Sequence, residues 1–207
     1  MNTAAEVLDL SPVIPVVALD DPAHAVPLAE ALLRGGIRTI EMTLRTPAGL
    51  PAIEHIAAEV PEIVVGAGTV TEPSQVSRAV DAGARYLVTP GCTDRLLDHV
   101  EAVGVPYLAG VSTVSEAMRL AERGVHAMKF FPAEPSGGVP YLKAIAGPLP
   151  HLRFCPTGGI SPGNAASYLA LPNVGCVGGS WLTPKDLLVG GEWGRIEDLA
   201  REAAELG

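Results

Sequence analysis

The segment VSEAMRLAERGVHAMKFFPAE, residues 114–134, decides how this chain folds. Its first half places Val114, Ala117, Met118 and Ala121 at helical spacing and stops at Gly124. A short apolar run, AMKFF (127–131), follows at once. A helix closed by glycine and followed directly by a buried strand is one step of an alternating β/α chain. The step repeats. Helical patterns cover 25–36, 50–60, 73–83 and 114–124, and apolar runs fall at 13–19, 39–43, 63–66, 86–89, 107–109, 127–131, 153–157 and 174–178.

These runs are nearly continuous in apolar residues, as expected of parallel strands covered on both faces. Gly36, Gly83, Gly104 and Gly124 each precede a strand, the last three at spacings of 21 and 20 residues. Eight such units with no break in composition predict one (β/α)8 TIM barrel over 1–207, with a short helical segment at 3–10. An open doubly wound sheet is the competing fold; it carries a dinucleotide fingerprint, and no GxGxxG occurs here.

Composition narrows the function. A net charge of −9 argues against nucleic acid, which needs a basic face. Three cysteines without a CxxC pair, and five scattered histidines, predict neither a disulfide framework nor a metal centre. The start, MNTAAEVLDL, has no basic segment followed by an apolar run, and no stretch reaches the ~20 apolar residues of a membrane span. A cytoplasmic protein without membrane attachment is expected.

Barrels place their chemistry at the C-terminal ends of strands. Lys129 lies in the most aromatic stretch, beside Met128, Phe130 and Phe131. Only three lysines stand against eleven arginines, so it is not a spare solubilising charge. Desolvated lysine can act as an amine nucleophile and form a Schiff base, which arginine cannot. The competing reading is a lysine that snorkels past an apolar wall to water. Glu41, between Ile40 and Met42, is a second charge in apolar surroundings and suits general acid–base work; a structural ion pair is its alternative. Arg45 has the fork for a carboxylate. Gly158-Gly159 and Gly178-Gly179-Ser180 follow the last two strands, where barrels bind phosphate on backbone N–H groups.

IEMTLRT (40–46), VGAGTV (65–70), TPG (89–91), GVSTVSE (110–116), KFFPAE (129–134), RFCPTGGISP (153–162) and GGSWL (178–182) together resemble the class I 2-keto-3-deoxy-6-phosphogluconate (KDPG) and 4-hydroxy-2-oxoglutarate (KHG) aldolase family. The resemblance spans most of the chain. It implies a homotrimeric (β/α)8 barrel of the Entner–Doudoroff pathway, with neither metal nor organic cofactor, cleaving a phosphorylated keto acid to pyruvate and glyceraldehyde 3-phosphate. It assigns Lys129 as the Schiff-base lysine and Glu41 as the general acid/base. Arg45 and Thr69 would hold the pyruvate carboxylate, with Pro90 and Phe131 lining the pocket. Thr157, Gly158 and Gly159 would line the channel, and Gly158, Gly159, Gly178, Gly179 and Ser180 would take the phosphate. Some relatives carry a basic residue at the end of the first strand, where this chain has Ala18-Leu19.

Competing activities are cleavage of KHG, which lacks phosphate, or of the galactonate epimer. A non-catalytic sugar-phosphate-binding barrel and an isomerase or lyase without a Schiff base are more distant. Only the Schiff-base readings require Lys129. Lys129→Arg is therefore expected to fold normally, by circular dichroism, yet to lose more than about 10³-fold in turnover. Appreciable turnover in that variant contradicts the assignment.

Overall fold

The computed structural model describes residues 3–207. Nine strand segments alternate with helices: β1 (Val13–Val17), β2 (Thr39–Thr43), β3 (Val64–Gly68), β4 (Leu87–Val88), β5 (Tyr107–Leu108), β6 (Gly110–Val111), β7 (Ala127–Phe130), β8 (Arg153–Pro156) and β9 (Val177–Gly179). The helices are α1 (Ala4–Leu8), α2 (Ala25–Arg34), α3 (Gly49–Glu59), α4 (Pro73–Asp81), α5 (Asp94–Ala102), α6 (Val114–Glu122), α7 (Gly138–Ala146), α8 (Pro162–Leu169), α9 (Lys185–Gly190) and α10 (Trp193–Ala204), with a 3₁₀ turn at Pro22–His24. Among the described residues, no helix is long and apolar enough to cross a membrane.

The architecture is α/β with parallel strands, as the alternation predicts. Six strands form one sheet, a half-barrel in the order β5-β4-β3-β2-β1-β9, and three form another, β6-β7-β8. Isolated parallel bridges, Phe154 with Val174 and Thr157 with Gly178, join the end of the second sheet to the β9 region of the first.

Eight strands in one sheet were expected; the run at 107–109 divides them. β5 pairs with β4, and β6 pairs with β7. The break has a local cause. The Gly110 N–H donates to the Thr89 hydroxyl at 3.2 Å instead of to a strand carbonyl. A Cβ at Gly110 would lie 2.3 Å from the Pro90 carbonyl oxygen, so the 90–91 backbone crosses directly over this point. The expected strand at 13–19 also ends early, at Val17, and the one at 174–178 becomes Val177–Gly179.

Successive strand residues face opposite sides, and here both sides are buried. Val13, Ile40, Met42, Val65, Ala67, Leu87, Met128, Phe130, Phe154 and Val177 face the helices and make the larger core. Ile14, Val64, Tyr86, Val88, Leu108, Ala127, Cys155 and Cys176 make a second, inner core that the curved sheets enclose. Val7 and Leu8 of α1 join this inner core, so the N-terminal helix closes one end of it. The other end, where the strands finish, carries the polar residues. In the outer core Phe130 stacks on Tyr141, with centroids 5.4 Å apart, and meets Phe154 edge-on.

The helix-closing glycines, Gly36, Gly83, Gly104 and Gly124, all adopt positive φ. Gly124, like Gly104, has no atom within 4 Å of a built Cβ, and its φ is +83°. Gly124→Ala meets no steric obstacle and suffers only the left-handed backbone. It should cost about 1 kcal/mol and lower Tm by about 2–4 °C in a melting experiment. An unchanged Tm contradicts this reading of the turn.

Candidate active site

Lys129 and Glu41 occupy the polar end of the inner core. Lys129 is 6% exposed and Glu41 3%. The Lys129 Nζ donates to Glu41 Oε1 at 3.3 Å. Sequence neighbours do not make this environment. Met128 and Phe130 point into the outer core, as do Ile40 and Met42 beside Glu41. The strand period of two puts Lys129 on the face of Ala127 and Glu41 on the face of Thr39 and Thr43. Of the aromatics around Lys129, Phe131 is the one it meets, with Nζ 5.2 Å from the ring centroid.

The surroundings of Glu41 come from β3 and β4. A Cβ at Gly68 would lie 2.2 Å from Glu41 Oε1, so the carboxylate lies against bare backbone. Deeper in the inner core, Tyr86 donates to the Thr39 hydroxyl at 2.9 Å, and Thr39 donates to the Val64 carbonyl at 3.0 Å. Burial pushes the Tyr86 phenol well above its ordinary pKa, so it stays a neutral donor. Gly66 makes room for its ring: a Cβ there would sit 2.3 Å from Tyr86 Cζ.

Thr43, fully buried, donates to the Val17 carbonyl at 2.7 Å and accepts from Arg45 Nε at 3.1 Å. Arg45, in the turn after β2, is thereby oriented from the last residue of that strand. It lines a cavity of about 460 Å³ together with Ala18, Ser180, Thr183 and Lys185. Lys185 and Asp20, at 2.9 Å, form an exposed ion pair in the same cavity. Ala18 thus has a cation near it after all, supplied by α9 rather than β1. Sequence reading missed Lys185, because nothing in a linear pattern links residue 185 to the end of the first strand.

Thr69 follows β3 at φ +59°, the only non-glycine with positive φ among the described residues. Such strain in a β-branched residue is a marker of functional constraint. Pro90, with its carbonyl over Gly110, follows β4 just past its end at Val88.

The two glycine pairs differ in kind. Gly158 and Gly159 have φ of +102° and +81°, so their backbone itself calls for glycine. Gly178 and Gly179 do not; a Cβ at Gly178 would lie 2.2 Å from Thr157 Oγ1, and one at Gly179 1.7 Å from the Trp181 ring. Close packing explains that pair before any ligand does. Ser180, next in line, is exposed. Glu134, which the sequence reading left without a role, fixes the 158–159 turn: its N–H donates to the Gly158 carbonyl at 3.1 Å, and its carboxylate accepts from Tyr168 Oη. Burial and this carboxylate raise the Tyr168 pKa, which keeps the donor protonated.

The structure therefore brings Lys129, Glu41 and Phe131 together, joins Thr157 to Gly178, and sets Arg45 beside Ser180 in one cavity. A buried lysine hydrogen-bonded to a carboxylate, at the strand ends of a parallel α/β fold, defines the class: a protein equipped for amine chemistry on a carbonyl compound. The family model for KDPG and KHG aldolase matches residues 4–199, and the chain belongs to that family. It is 51% identical to the 2-dehydro-3-deoxy-phosphogluconate aldolase of Pseudoalteromonas atlantica, covering 97% of this chain and 94% of that protein. It is equally similar, at 51%, to the KHG/KDPG aldolase of Escherichia coli, over 99% and 96% of the two chains. The crystal structure of KDPG aldolase from Legionella pneumophila with pyruvate captured at low pH as a covalent carbinolamine superposes with a TM-score of 0.95, at 44% identity and 98% coverage of both chains.

Glycine at position 69 removes the strained β-branched residue but also any contact its hydroxyl makes. Thr69→Gly is expected to hold or raise Tm while lowering activity, measured by melting and turnover side by side. A clear fall in Tm, or unaltered activity, contradicts the assignment of Thr69 to the site.

Proposed function

We propose that this protein is a class I aldolase that cleaves 2-keto-3-deoxy-6-phosphogluconate reversibly to pyruvate and glyceraldehyde 3-phosphate. One observation carries the reading: Lys129, the one buried lysine among the described residues, lies 3.3 Å from a buried carboxylate. Family membership and the relatives' names give the carbonyl substrate. The Zymomonas mobilis KDPG aldolase crystallised with 3-phosphoglycerate, 43% identical with a TM-score of 0.92, supports a phosphorylated ligand.

The chemistry runs from this pair. Glu41 takes a proton from the Lys129 ammonium, and the free amine adds to the C2 ketone to give a carbinolamine. Glu41 delivers a proton to the departing hydroxyl, water leaves, and the iminium forms. Glu41, now a carboxylate, takes the C4 hydroxyl proton, directly or through one water. The C3–C4 bond breaks, its electron pair passes to the iminium nitrogen, and glyceraldehyde 3-phosphate departs. The resulting enamine is protonated at C3, and water releases pyruvate and the free amine. Proton transfer by a positioned group contributes about 10²–10⁴-fold to such a step.

Arg45 and Thr69 hold the carboxylate, and Pro90, Phe131 and Thr157 shape the pocket. Gly158, Gly159, Gly178, Gly179 and Ser180 face the phosphate. The reading also implies that the two sheets are parts of one closed (β/α)8 barrel over 1–207; the bridges at Phe154 and Thr157 and the split at Ala109 support closure at both junctions. A cytoplasmic homotrimer completes it. The name of the Escherichia coli relative favours a second activity, cleavage of KHG by the same machinery.

The test is pyruvate and glyceraldehyde 3-phosphate release from the phosphorylated substrate, set against pyruvate release from KHG. Ser180→Ala should lower kcat/KM for the phosphorylated substrate about tenfold, the loss of one hydrogen bond to a charged group, and leave KHG cleavage unchanged. Equal losses on both substrates, or none, contradict the phosphate placement; no cleavage of either contradicts the function.

A further inference from the structure

We infer that Gly68 is a positioning residue for Glu41: its missing side chain is the space into which the Glu41 carboxylate turns to meet Lys129. The inference rests on the aldolase reading for its catalytic consequence and on geometry alone for the contact. A Cβ built on Gly68 would lie 2.2 Å from Glu41 Oε1, 2.5 Å from Cγ and 2.7 Å from Cδ. All three distances are shorter than real Cβ contacts, and all three atoms belong to the one side chain that holds Lys129 Nζ.

No other feature of position 68 calls for glycine. Gly68 is the last residue of β3 and is absent from the residues with positive φ. Its carbonyl accepts an ordinary bond from Leu44 N at 2.8 Å. Glycine in a strand packs no side chain of its own and marks a close approach. Glu41 is what approaches.

The register explains the direction. Glu41 pairs with Gly66, and Thr43 with Gly68, so the carboxylate reaches along β3 toward the strand end instead of straight across. Gly66 cannot receive it, because the Tyr86 ring fills that position. Tyr86 below and bare backbone at 68 beside it leave the carboxylate one open course, toward the polar end where Lys129 Nζ waits. A methyl group at 68 takes that course away. The side chain must then swing off β3, and the 3.3 Å contact is lost.

Two cycles test this on the intact chain. The first reads melting temperature for wild type, Gly68→Ala, Glu41→Ala and the double variant. Gly68→Ala should lower Tm when Glu41 is present and cost nothing when Glu41→Ala has cleared the space. If Gly68→Ala fails to fold, the double variant should fold. An equal cost in both backgrounds, or a double variant that also fails to fold, overturns the inference. The second cycle reads kcat and KM with Gly68→Ala, Glu41→Gln and their combination. Gly68→Ala should lower kcat about 10²-fold or more, change KM about twofold at most, and add nothing to Glu41→Gln. Wild-type kcat, or losses that add, overturns it. The melting cycle needs no substrate, so a failure of the aldolase reading and a failure at Gly68 are told apart.

Discussion

Lys129 and Glu41 lie 88 residues apart in sequence and 3.3 Å apart in space, each almost wholly removed from water. Desolvating two charges costs several kcal/mol per ion, which their attraction rarely returns in full. Two apolar side chains of the same volume would serve stability as well. The pair also has a topological role. Glu41 comes from β2 in the six-stranded sheet and Lys129 from β7 in the three-stranded one. The contact exists only because both sheets turn the same end toward the same inner space, so the site and the curvature of the fold depend on each other.

The rest of the molecule serves that geometry. Alternation along each strand sends Met128, Phe130, Ile40 and Met42 outward under the helices and leaves the inner face free for Thr39, Glu41 and Lys129. α1 closes the far end with Val7 and Leu8, and the Tyr86–Thr39–Val64 hydrogen bonds fill the layer between that plug and the ion pair. The glycines near the site answer to two different demands. Gly158 and Gly159 satisfy a backbone conformation, Gly159 also making room for Glu134, whereas Gly66, Gly68, Gly178 and Gly179 only make room, for Tyr86, Glu41, Thr157 and Trp181. A string of glycines in the sequence reads the same in both cases.

Much of this was legible in one dimension. Glycine-closed helices before apolar runs gave the parallel α/β order, and the helix-closing glycines do adopt positive φ. Lys129 and Glu41 stood out as charges in apolar runs, and they do meet. Their burial does not come from their sequence neighbours: flanking residues on a strand face the other way, and the desolvating groups come from distant strands. Where strand 107–109 would break was hidden too, because it depends on the 90–91 backbone crossing Gly110. Glu134, Tyr168 and Lys185 escaped notice for the same reason. Their partners, the turn at Gly158, the Glu134 carboxylate and Asp20, are set by tertiary contacts that no local pattern encodes.

Borohydride reduction in the presence of pyruvate, followed by intact mass and peptide mapping, bears most directly on the claim that Lys129 is the amine nucleophile. A single reduced pyruvyl adduct, mapped to Lys129, is the predicted result. Folded protein that traps no pyruvate, or traps it on Lys143 or Lys185 instead, would contradict it.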